Sequence, residues 1–399
     1  MNRRDWMKTL GAACALRSLG MCTSMFGAAG ALGAPAGGTA AEPALSGGKG
    51  PDSAASSATS SSTLETEIIR LQLRHTWTTT MSSSAYRDTL YVRFSRDGIT
   101  GHGEGAPIVR YQENAAGARQ AAESVRDLVT AADPWEFEKL HAEIARRLSG
   151  QYAAQAALDI ALMDWVGQKL GVPLYRYFGL DPSDAPITTF SIGIDTPEIT
   201  RQKVREAEAF PVLKIKVGLD TDEATIAAVR SVTSKPLRVD ANEGWKDKEE
   251  AARKINWLAT QGVEFVEQPM PAEMLEEMRW VHERAHLPLI ADEACQRPSD
   301  VPKMVGAFDG VNVKLDKSGG MLVAFEMIQM AHALGLRAML GCMVSSSVSV
   351  TAAAHLSPLV DYADLDGNLL IANDPFTGVR VEKGKLLLPH GPGLGLRPA

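Results

Sequence analysis

Hydrophobic and polar positions alternate between about residues 65 and 105. Ile68–Leu73 and Thr89–Phe94 are two runs of this kind, which is typical of half-buried strands. Asp97-Gly98 follows the second run and favours a hairpin turn, after which a further strand begins near Ile99. The pattern therefore predicts an antiparallel meander.

Helical spacing replaces the alternation after residue 114. Apolar positions recur every three or four residues in Ala116–Ala132 and in Pro134–Leu148. A third segment, Gln151–Leu170, is rich in Ala and Leu and ends before Gly171-Val172-Pro173, which is a helix stop signal. Together with the meander, these helices predict an α+β unit over residues 63–185.

From residue 186 onward, short apolar or β-branched runs alternate with helical segments. Eight runs predict strands: Thr188–Ile194, Val212–Val217, Leu237–Val239, Val263–Val266, Leu287–Ala291, Gly310–Leu315, Ala338–Cys342 and Tyr362–Leu365. This alternation predicts a parallel sheet with crossover helices, and eight compact units predict that the sheet closes. The predicted fold class is α/β, a (β/α)7β TIM-like barrel over residues 186–370 with an α+β capping domain.

The first 62 residues follow neither pattern. Arg3 and Arg4 precede Trp6-Met7-Lys8, a weakly apolar stretch follows, and Ala34-Pro35-Ala36 offers small residues for cleavage. We interpret residues 1–36 as a twin-arginine signal peptide and residues 37–62, rich in Gly, Ser, Ala and Thr, as a flexible linker. The mature protein is then expected in the periplasm, without a stable membrane anchor.

Composition excludes several other classes of protein. Hydrophobic residues make up 45% and charged residues 22%, which is ordinary for a globular protein, and the net charge of -7 argues against nucleic acid as a partner. Cys14 and Cys22 lie in the predicted leader, whereas Cys295 and Cys342 are far apart and lack metal-binding spacing. Neither a disulfide framework nor a zinc site is indicated.

Charged and amide residues stand at the C-terminal ends of the predicted barrel strands. They are Lys214, Lys216, Asp240, Asn242, Glu267, Asp292, Glu293, Lys314, Asp364 and Asp366. From Lys216 to Lys314, the three intervening carboxylates give successive spacings of 24, 27, 25 and 22 residues, which is the barrel period. Because equivalent strand ends meet at one mouth of a barrel, these side chains are expected to converge there.

Three oxygen ligands from separate strands, without His or Cys, suit Mg²⁺, and Asp240, Glu267 and Asp292 supply them. A cation chelated by a substrate carboxylate stabilises the charge that develops when the α-proton is removed. Lys216 and Lys314 could then serve opposite faces of a planar intermediate, and nearby cations would lower a lysine pKa. Taken individually, a strand-end acid is also typical of a helix N-cap, and the two strand-two lysines are also compatible with a solvent-facing row.

These motifs resemble those of the enolase superfamily, muconate-lactonising subgroup. The resemblance rests on Gly101–Pro107, Lys214–Gly218, Val239–Asn242, Val266–Pro269, Ala291–Glu293 and Val313–Gly320. It implies Mg²⁺ binding by Asp240, Glu267 and Asp292, with Lys216 and Lys314 as the acid/base pair. It also implies that residues 371–399 return to the cap, and family members are often homo-oligomers.

On strand eight, Asp364-Leu365-Asp366 resembles the Asp-x-Asp motif of dipeptide epimerases, in which two carboxylates hold the substrate's α-ammonium group. The resemblance implies epimerisation at the α-carbon of a dipeptide's C-terminal residue, by 1,1-proton transfer through an enolate, as in L-Ala-D/L-Glu epimerases. Lys214 is assigned to substrate binding, and Asn242 and Glu293 to supporting positions.

Two features leave alternatives open. Ser345 stands where many relatives carry a Glu. In the expected specificity loop near Trp77–Arg87, some L-Ala-D/L-Glu epimerases carry an arginine that binds the Glu side chain; here the loop reads Thr80-Met81-Ser82-Ser83-Ser84 with Arg87 beyond, and no arginine is aligned with theirs. The Arg110–Glu113 loop could also contact substrate. A muconate-type cycloisomerase or an N-acylamino-acid racemase is an alternative on the same scaffold. An exported, non-catalytic dipeptide-binding protein is an alternative of another class.

Overall fold

The computed structural model describes residues 61–399, so the predicted signal peptide and most of the predicted linker lie outside the described residues. Within this range, a three-stranded antiparallel sheet with helices precedes an eight-stranded parallel sheet. No helix between residues 61 and 399 combines the length and the apolar character that a membrane crossing requires.

The cap begins with strands β1 (Thr63–Thr78), β2 (Ser83–Arg96) and β3 (Ile99–Gly105). Its helices are α1 (Ala115–Ser124), α2 (Arg126–Ala131), α3 (Phe137–Arg147), α4 (Tyr152–Leu170) and α5 (Leu174–Tyr177), with 3-10 turns at Val109–Tyr111, Pro134–Glu136 and Pro182–Asp184. Helix α4 is buried along most of its length and packs against β2 and β3. The predicted meander and helices are therefore present.

Two cap elements differ from the prediction in extent. The first strand is sixteen residues long and begins at Thr63, because its edge pairs with β2 well beyond the apolar run. The predicted helix Ala116–Ala132 is divided at Val125, whose φ of -109° and ψ of 11° are not helical. Asp97 and Gly98 have φ of 54° and 73°, as the predicted hairpin turn requires.

The barrel strands are β4 (Phe190–Ile192), β5 (Leu213–Lys216), β6 (Leu237–Asp240), β7 (Val263–Glu267), β8 (Leu289–Ala291), β9 (Gly310–Val313), β10 (Arg337–Gly341) and β11 (Tyr362–Asp364). Its helices are α6 (Pro197–Glu206), α7 (Asp222–Arg230), α8 (Lys248–Ala259), α9 (Leu275–His282), α10 (Leu315–Ser318), α11 (Met321–Ala333) and α12 (Ser347–Leu356). Three 3-10 helices, Pro298–Met304, Ser357–Leu359 and Gly367–Leu370, complete this part of the chain.

Successive barrel strands pair in parallel and in sequence order, which confirms the predicted fold class. Closure between β4 and β11 uses a single parallel bridge between Thr188 and Ala363 and a bond from Leu365 N to Thr188 Oγ1, 2.7 Å. The connection after β8 is a 3-10 helix that contains Pro302, which lacks a backbone N–H and cannot donate a helical hydrogen bond.

The C-terminal segment contains the short strands β12 (Phe376–Thr377), β13 (Arg380–Glu382), β14 (Lys385–Leu387) and β15 (Arg397–Pro398). It then reaches the cap helix α4, where Leu394 N donates to Asp164 Oδ1 at 2.7 Å. Gly393 N also donates to Val172 O at 2.9 Å. This segment therefore joins the end of the chain to the cap.

Candidate active site

An acidic cluster lies at the barrel mouth, where β6 and β7 end and just beyond β8. Asp240, Glu267 and Asp292 each place a carboxylate oxygen within 4.8 Å of the others, and all three side chains are buried. Burial, and then the charge of Asp240, raise the pKa of Glu267 to about 7. Burial and the charge of Asp240 thus disfavour the charged form of Glu267, and a cation bound among the three carboxylates would offset both effects.

The cluster fits Mg²⁺ by the chemistry of its donors. It offers hard carboxylate oxygens from three adjacent strands and contains neither imidazole nor thiolate, which are the donors that softer metals prefer. Asn312 Nδ2 donates to Glu267 Oε1 at 2.7 Å, and Asp292 N donates to Gln268 Oε1 at 2.9 Å. These bonds hold the carboxylates in orientation, as supporting residues do at metal sites.

Lys216 and Lys314 belong to strands two and six of the barrel, which lie on opposite sides of it. Lys216 Nζ contacts Asp240 Oδ2 at 2.6 Å, and Lys314 Nζ contacts Asp292 Oδ2 at 2.7 Å. Burial alone would lower the pKa of Lys314, but the Asp292 carboxylate holds that pKa above its ordinary value. The lowered lysine pKa expected from neighbouring cations is therefore absent for Lys314, because a carboxylate is its nearest charge.

Lys214 lies between the acidic cluster and strand eight. Its Nζ is 2.7 Å from Asp364 Oδ2, 2.7 Å from Glu267 Oε2 and 3.1 Å from Asp240 Oδ2. Burial opposes its charge, but these carboxylates hold the pKa of Lys214 well above its ordinary value. The predicted substrate-binding lysine is thus a fixed cation that links the two groups of acids.

Asp364 and Asp366 face the same mouth. Asp364 accepts hydrogen bonds from the hydroxyls of Thr189 and Ser191, and Asp366 Oδ2 accepts one from Ser191 N at 2.6 Å. Burial, and then the charge of Asp364, raise the pKa of Asp366 to about 7. A second cation beside Asp366 would be favoured, since Lys214 contacts Asp364 but not Asp366 among the two strand-eight aspartates.

The predicted supporting residues contact each other. Asn242 Nδ2 donates to Glu293 Oε1 at 3.2 Å, and burial followed by the charge of Asp292 raises the pKa of Glu293 to about 8. Asn242 has a φ of 41°, and its carbonyl accepts a bond from Thr80 Oγ1 of the cap at 2.8 Å. The left-handed turn after β6 is thereby joined to the specificity loop.

Sequence reasoning did not assign Lys317, Asn312 or Gln268 to the site. Lys317 Nζ lies 2.6 Å from both the carbonyl and Oδ1 of Asp292 and is fully buried. Two spacings in the sequence could have indicated that Lys317 and Asn312 lie near Lys314. Lys317 follows Lys314 by three residues, which is one helical turn, and Asn312 precedes Lys314 by two residues, which places both on one strand face.

A cleft of about 700 Å³ separates the barrel mouth from the cap. Its lining includes Lys216, Lys314 and Asp366 from the barrel, and from the cap it includes residues of the Trp77–Arg87 loop and of the Arg110–Glu113 loop. Both cap segments singled out in the sequence therefore face the site.

Ser345, which follows strand seven of the barrel and stands where many relatives carry a Glu, is buried. Its Oγ donates to Met343 O at 3.3 Å. A cap carboxylate lies beside the same turn. Glu104 accepts bonds from the N–H and hydroxyl of Ser346 and from Ser349 N, at the start of α12. The turn after strand seven is thus held by Glu104, which comes from the cap motif Gly101–Pro107.

Known proteins with these features are numerous. Residues 65–179 match the mandelate racemase/muconate lactonizing enzyme N-terminal domain, and residues 199–399 match the enolase C-terminal domain-like family. An L-Ala-D/L-Glu epimerase of Bacteroides thetaiotaomicron is 44% identical, over 82% of this chain and 85% of the relative. An L-Ala-D/L-amino acid epimerase of Pedosphaera parvula is 43% identical, over 82% and 96%.

Among solved structures, the dipeptide epimerase of Enterococcus faecalis, complexed with Mg and L-Leu-L-Tyr, superimposes with a TM-score of 0.79. It is 32% identical, and the match covers 84% of this chain and 99% of that one. The two matched family domains together span the cap and the barrel that form the cleft. The chain therefore belongs to the enolase superfamily, in its mandelate racemase/muconate lactonizing enzyme group, and resembles the dipeptide epimerases of that group.

Proposed function

We propose that this protein is a Mg²⁺-dependent dipeptide epimerase that inverts the α-carbon of the C-terminal residue. One observation carries the proposal: Asp364 and Asp366 share a single mouth with an acidic metal cluster and two lysines on opposite sides. A free dipeptide has a carboxylate for the cluster and an ammonium group for the aspartates. The dipeptide epimerases among the relatives support the same function.

The proposed metal ligands are Asp240, Glu267 and Asp292. When bound, Mg²⁺ supplies positive charge that offsets the negative charge developing on the substrate carboxylate. Lys214 adds a fixed cation beside the same carboxylates and is held there by three ion pairs. The buried position of these groups strengthens each interaction, because little water screens it.

Lys216 and Lys314 carry the proton transfer in this proposal. One lysine, as a neutral amine, takes the α-proton, so that the carbon–hydrogen bond breaks and an enolate forms. The other lysine, as an ammonium, donates its proton to the opposite face of the same carbon. The configuration inverts without net gain or loss of protons by the pair, and exchange with solvent restores the starting protonation states.

Deuterium exchange tests the proposed function. In D₂O with Mg²⁺, a library of L-Xaa-L-Xaa dipeptides is expected to gain deuterium at the α-carbon of the C-terminal residue and to yield the epimer. The variant K216A/K314A is the matched control and should show neither. Absence of exchange with every dipeptide in the library would overturn the proposal.

Asp366 is the proposed principal contact of the substrate ammonium group, because Lys214 already neutralises Asp364. N-acetylation removes that ammonium charge, so N-acetyl dipeptides should react about 10- to 100-fold more slowly than free dipeptides. Asp366→Asn should lower the reaction rate of free dipeptides and so reduce the difference in rate between free and N-acetyl dipeptides. Equal rates for free and N-acetyl substrates would instead favour an N-acylamino-acid racemase.

We also propose that the protein is exported to the periplasm. Support comes from Arg3 and Arg4, the weakly apolar stretch after them and Ala34-Pro35-Ala36. Residues 1–62 fused to a reporter should direct it to the periplasm, and the double change Arg3→Lys and Arg4→Lys should retain it in the cytoplasm. Equal export of both fusions would contradict the twin-arginine route.

A further inference from the structure

The segment Asp364–Gly367, called here the aspartate turn, lies against the segment that follows β10. Gly341, the last residue of β10, pairs with Asp364 of β11. A Cβ atom on Gly367 would lie 2.3 Å from Met343 O and 3.1 Å from Cys342 Sγ, so only glycine permits this close approach. The two segments therefore touch, and a shift of one displaces the other.

The Cys342 thiol spans the aspartate turn. Its Sγ donates to Asp364 O and accepts a bond from Gly367 N, each at 3.3 Å. These two backbone groups lie on either side of Leu365 and Asp366, so one sulfur atom holds both ends of the segment that carries Asp366. Burial raises the pKa of Cys342, which keeps the thiol protonated as a donor at neutral pH.

Asp366 is thus held from both strands that neighbour β11. On one side, Asp366 Oδ2 accepts a bond from Ser191 N of β4 at 2.6 Å. On the other side, the thiol that follows β10 fixes the backbone before and after it. The direction of the Asp366 carboxylate therefore depends on the conformation of the aspartate turn.

The end of β10 also lies against a proposed catalytic lysine. A Cβ atom on Gly341 would lie 2.7 Å from Asn312 Oδ1 and 3.1 Å from Lys314 Cε. Cys342, the next residue, lines the cleft together with Lys314 and Asp366. The segment that follows β10 is therefore a spacer between the lysine and the aspartate turn.

We propose that Cys342 is a positioning residue that sets the place of Asp366 relative to Lys314 through the backbone of the aspartate turn. This inference rests on the proposed function. A dipeptide held by its ammonium group at Asp366 presents its α-carbon to Lys314 correctly only if this spacing is kept, and small displacements of a bound substrate slow the reaction strongly. Cys295 has a different place, since it packs in the hydrophobic core of the barrel.

The test compares free with N-acetyl dipeptides by deuterium exchange. Cys342→Ala should lower kcat/KM for free dipeptides by about 5- to 10-fold, the range expected for the loss of weak hydrogen bonds, and should affect N-acetyl dipeptides less. The rate ratio of free to N-acetyl dipeptides therefore falls, whereas a general loss of structure would lower both rates together. Cys342→Ser should give an intermediate ratio, because a hydroxyl keeps the donor and the acceptor but prefers shorter distances.

Cys295→Ala is the matched control, because it also removes a buried thiol and should leave the ratio unchanged. A double-mutant cycle shows whether Cys342 acts through Asp366. Once Asp366→Asn has reduced the ratio, the addition of Cys342→Ala or Cys342→Ser should have little further effect on it.

A wild-type ratio in folded Cys342→Ala would overturn the inference. If Cys342→Ala does not fold, additive effects of Cys342→Ser and Asp366→Asn on the ratio would overturn it instead. Both results leave the proposed function standing, whereas absence of exchange with every dipeptide would remove the proposed function itself.

Discussion

At the scale of single residues, the site depends on two amines that approach one carbon from opposite sides. Lys216 and Lys314 each lie within 2.7 Å of a different carboxylate of the acidic cluster, so each is held separately. Loss of one amine leaves the other in place. The two lysines should therefore have separable effects on the two epimers of the substrate.

Lys216→Ala and Lys314→Ala are each expected to lower epimerisation by at least about 10²- to 10⁴-fold, the usual contribution of a positioned acid or base. Each variant should still exchange the α-proton of one substrate epimer, namely the one whose proton faces the remaining lysine. NMR of deuterium incorporation into L,L- and L,D-dipeptides measures this. Loss of both exchanges in both variants would show that the lysines do not act on separate faces.

At the scale of elements, a cap turn and a barrel turn are joined across the cleft. Arg110, in the 3-10 turn Val109–Tyr111, binds Glu243, which is buried and has a left-handed φ of 61°. Glu243 Oε1 also accepts a bond from Ala272 N at 2.8 Å. Glu243 directly follows Asn242, so the ion pair between Arg110 and Glu243 connects the cap with the turn that follows β6.

Arg110→Met should weaken this connection. We expect a higher KM and a lower kcat, with a loss of about 1–3 kcal/mol in the free energy of unfolding, less than for a fully buried pair because Arg110 is partly exposed. A double-mutant cycle with Glu243→Met isolates the coupling. Arg146→Met, which breaks a surface pair with Glu143, is the control, and additive effects in the Arg110 and Glu243 cycle would refute the coupling.

The C-terminal segment depends on a neutral histidine. His355 of α12 is fully buried, accepts a bond from Tyr175 N and contacts Leu394 O, both at 3.2 Å. Burial lowers the pKa of His355 from 6.5 to about 4. Between these values the unfolded chain binds more protons, so this group makes stability rise with pH and its contribution is lost as pH falls toward 4.

That contribution is about 3 kcal/mol at neutral pH. Urea unfolding between pH 4 and 7 should show that His355→Gln flattens the pH dependence relative to the wild type, with a difference in slope of up to one proton. The comparison is needed because burial also raises the pKa of Asp164 to about 7, and a raised carboxyl pKa acts in the opposite direction. Parallel curves for the two proteins would contradict the assignment to His355.

At the scale of the whole molecule, the metal cluster joins strands that are contributed by separate βα units. A ligand that binds only the folded chain stabilises it, by about 2.7 kcal/mol at 100 times the dissociation constant. Addition of Mg²⁺ to protein that has been stripped of metal with EDTA is therefore expected to raise its Tm by a few degrees. Asp240→Asn and Glu267→Gln should abolish the increase, and exposed Glu276→Gln should retain it. An equal increase in all variants would place the ion elsewhere.

The sequence by itself determined the barrel, the meander of the cap and the convergence of carboxylates and lysines. The physical reason is that these features are periodic. Strand ends recur about every 25 residues in a barrel, so residue numbers such as those of Asp240 and Glu267 translate directly into neighbouring positions. The spacing of apolar residues within each βα unit is also a local property of the sequence. It predicted the helices and strands, with errors mainly at their ends.

Only the tertiary structure decided which charges are matched. Arg110 meets Glu243 across 133 positions of the chain, and Lys214 meets Asp364 across 150. No local period encodes such pairs, because they depend on how the cap lies over the mouth and on how the barrel closes. The same packing brings the Cys342 thiol to the backbone on either side of Asp366, which neither spacing nor composition could reveal.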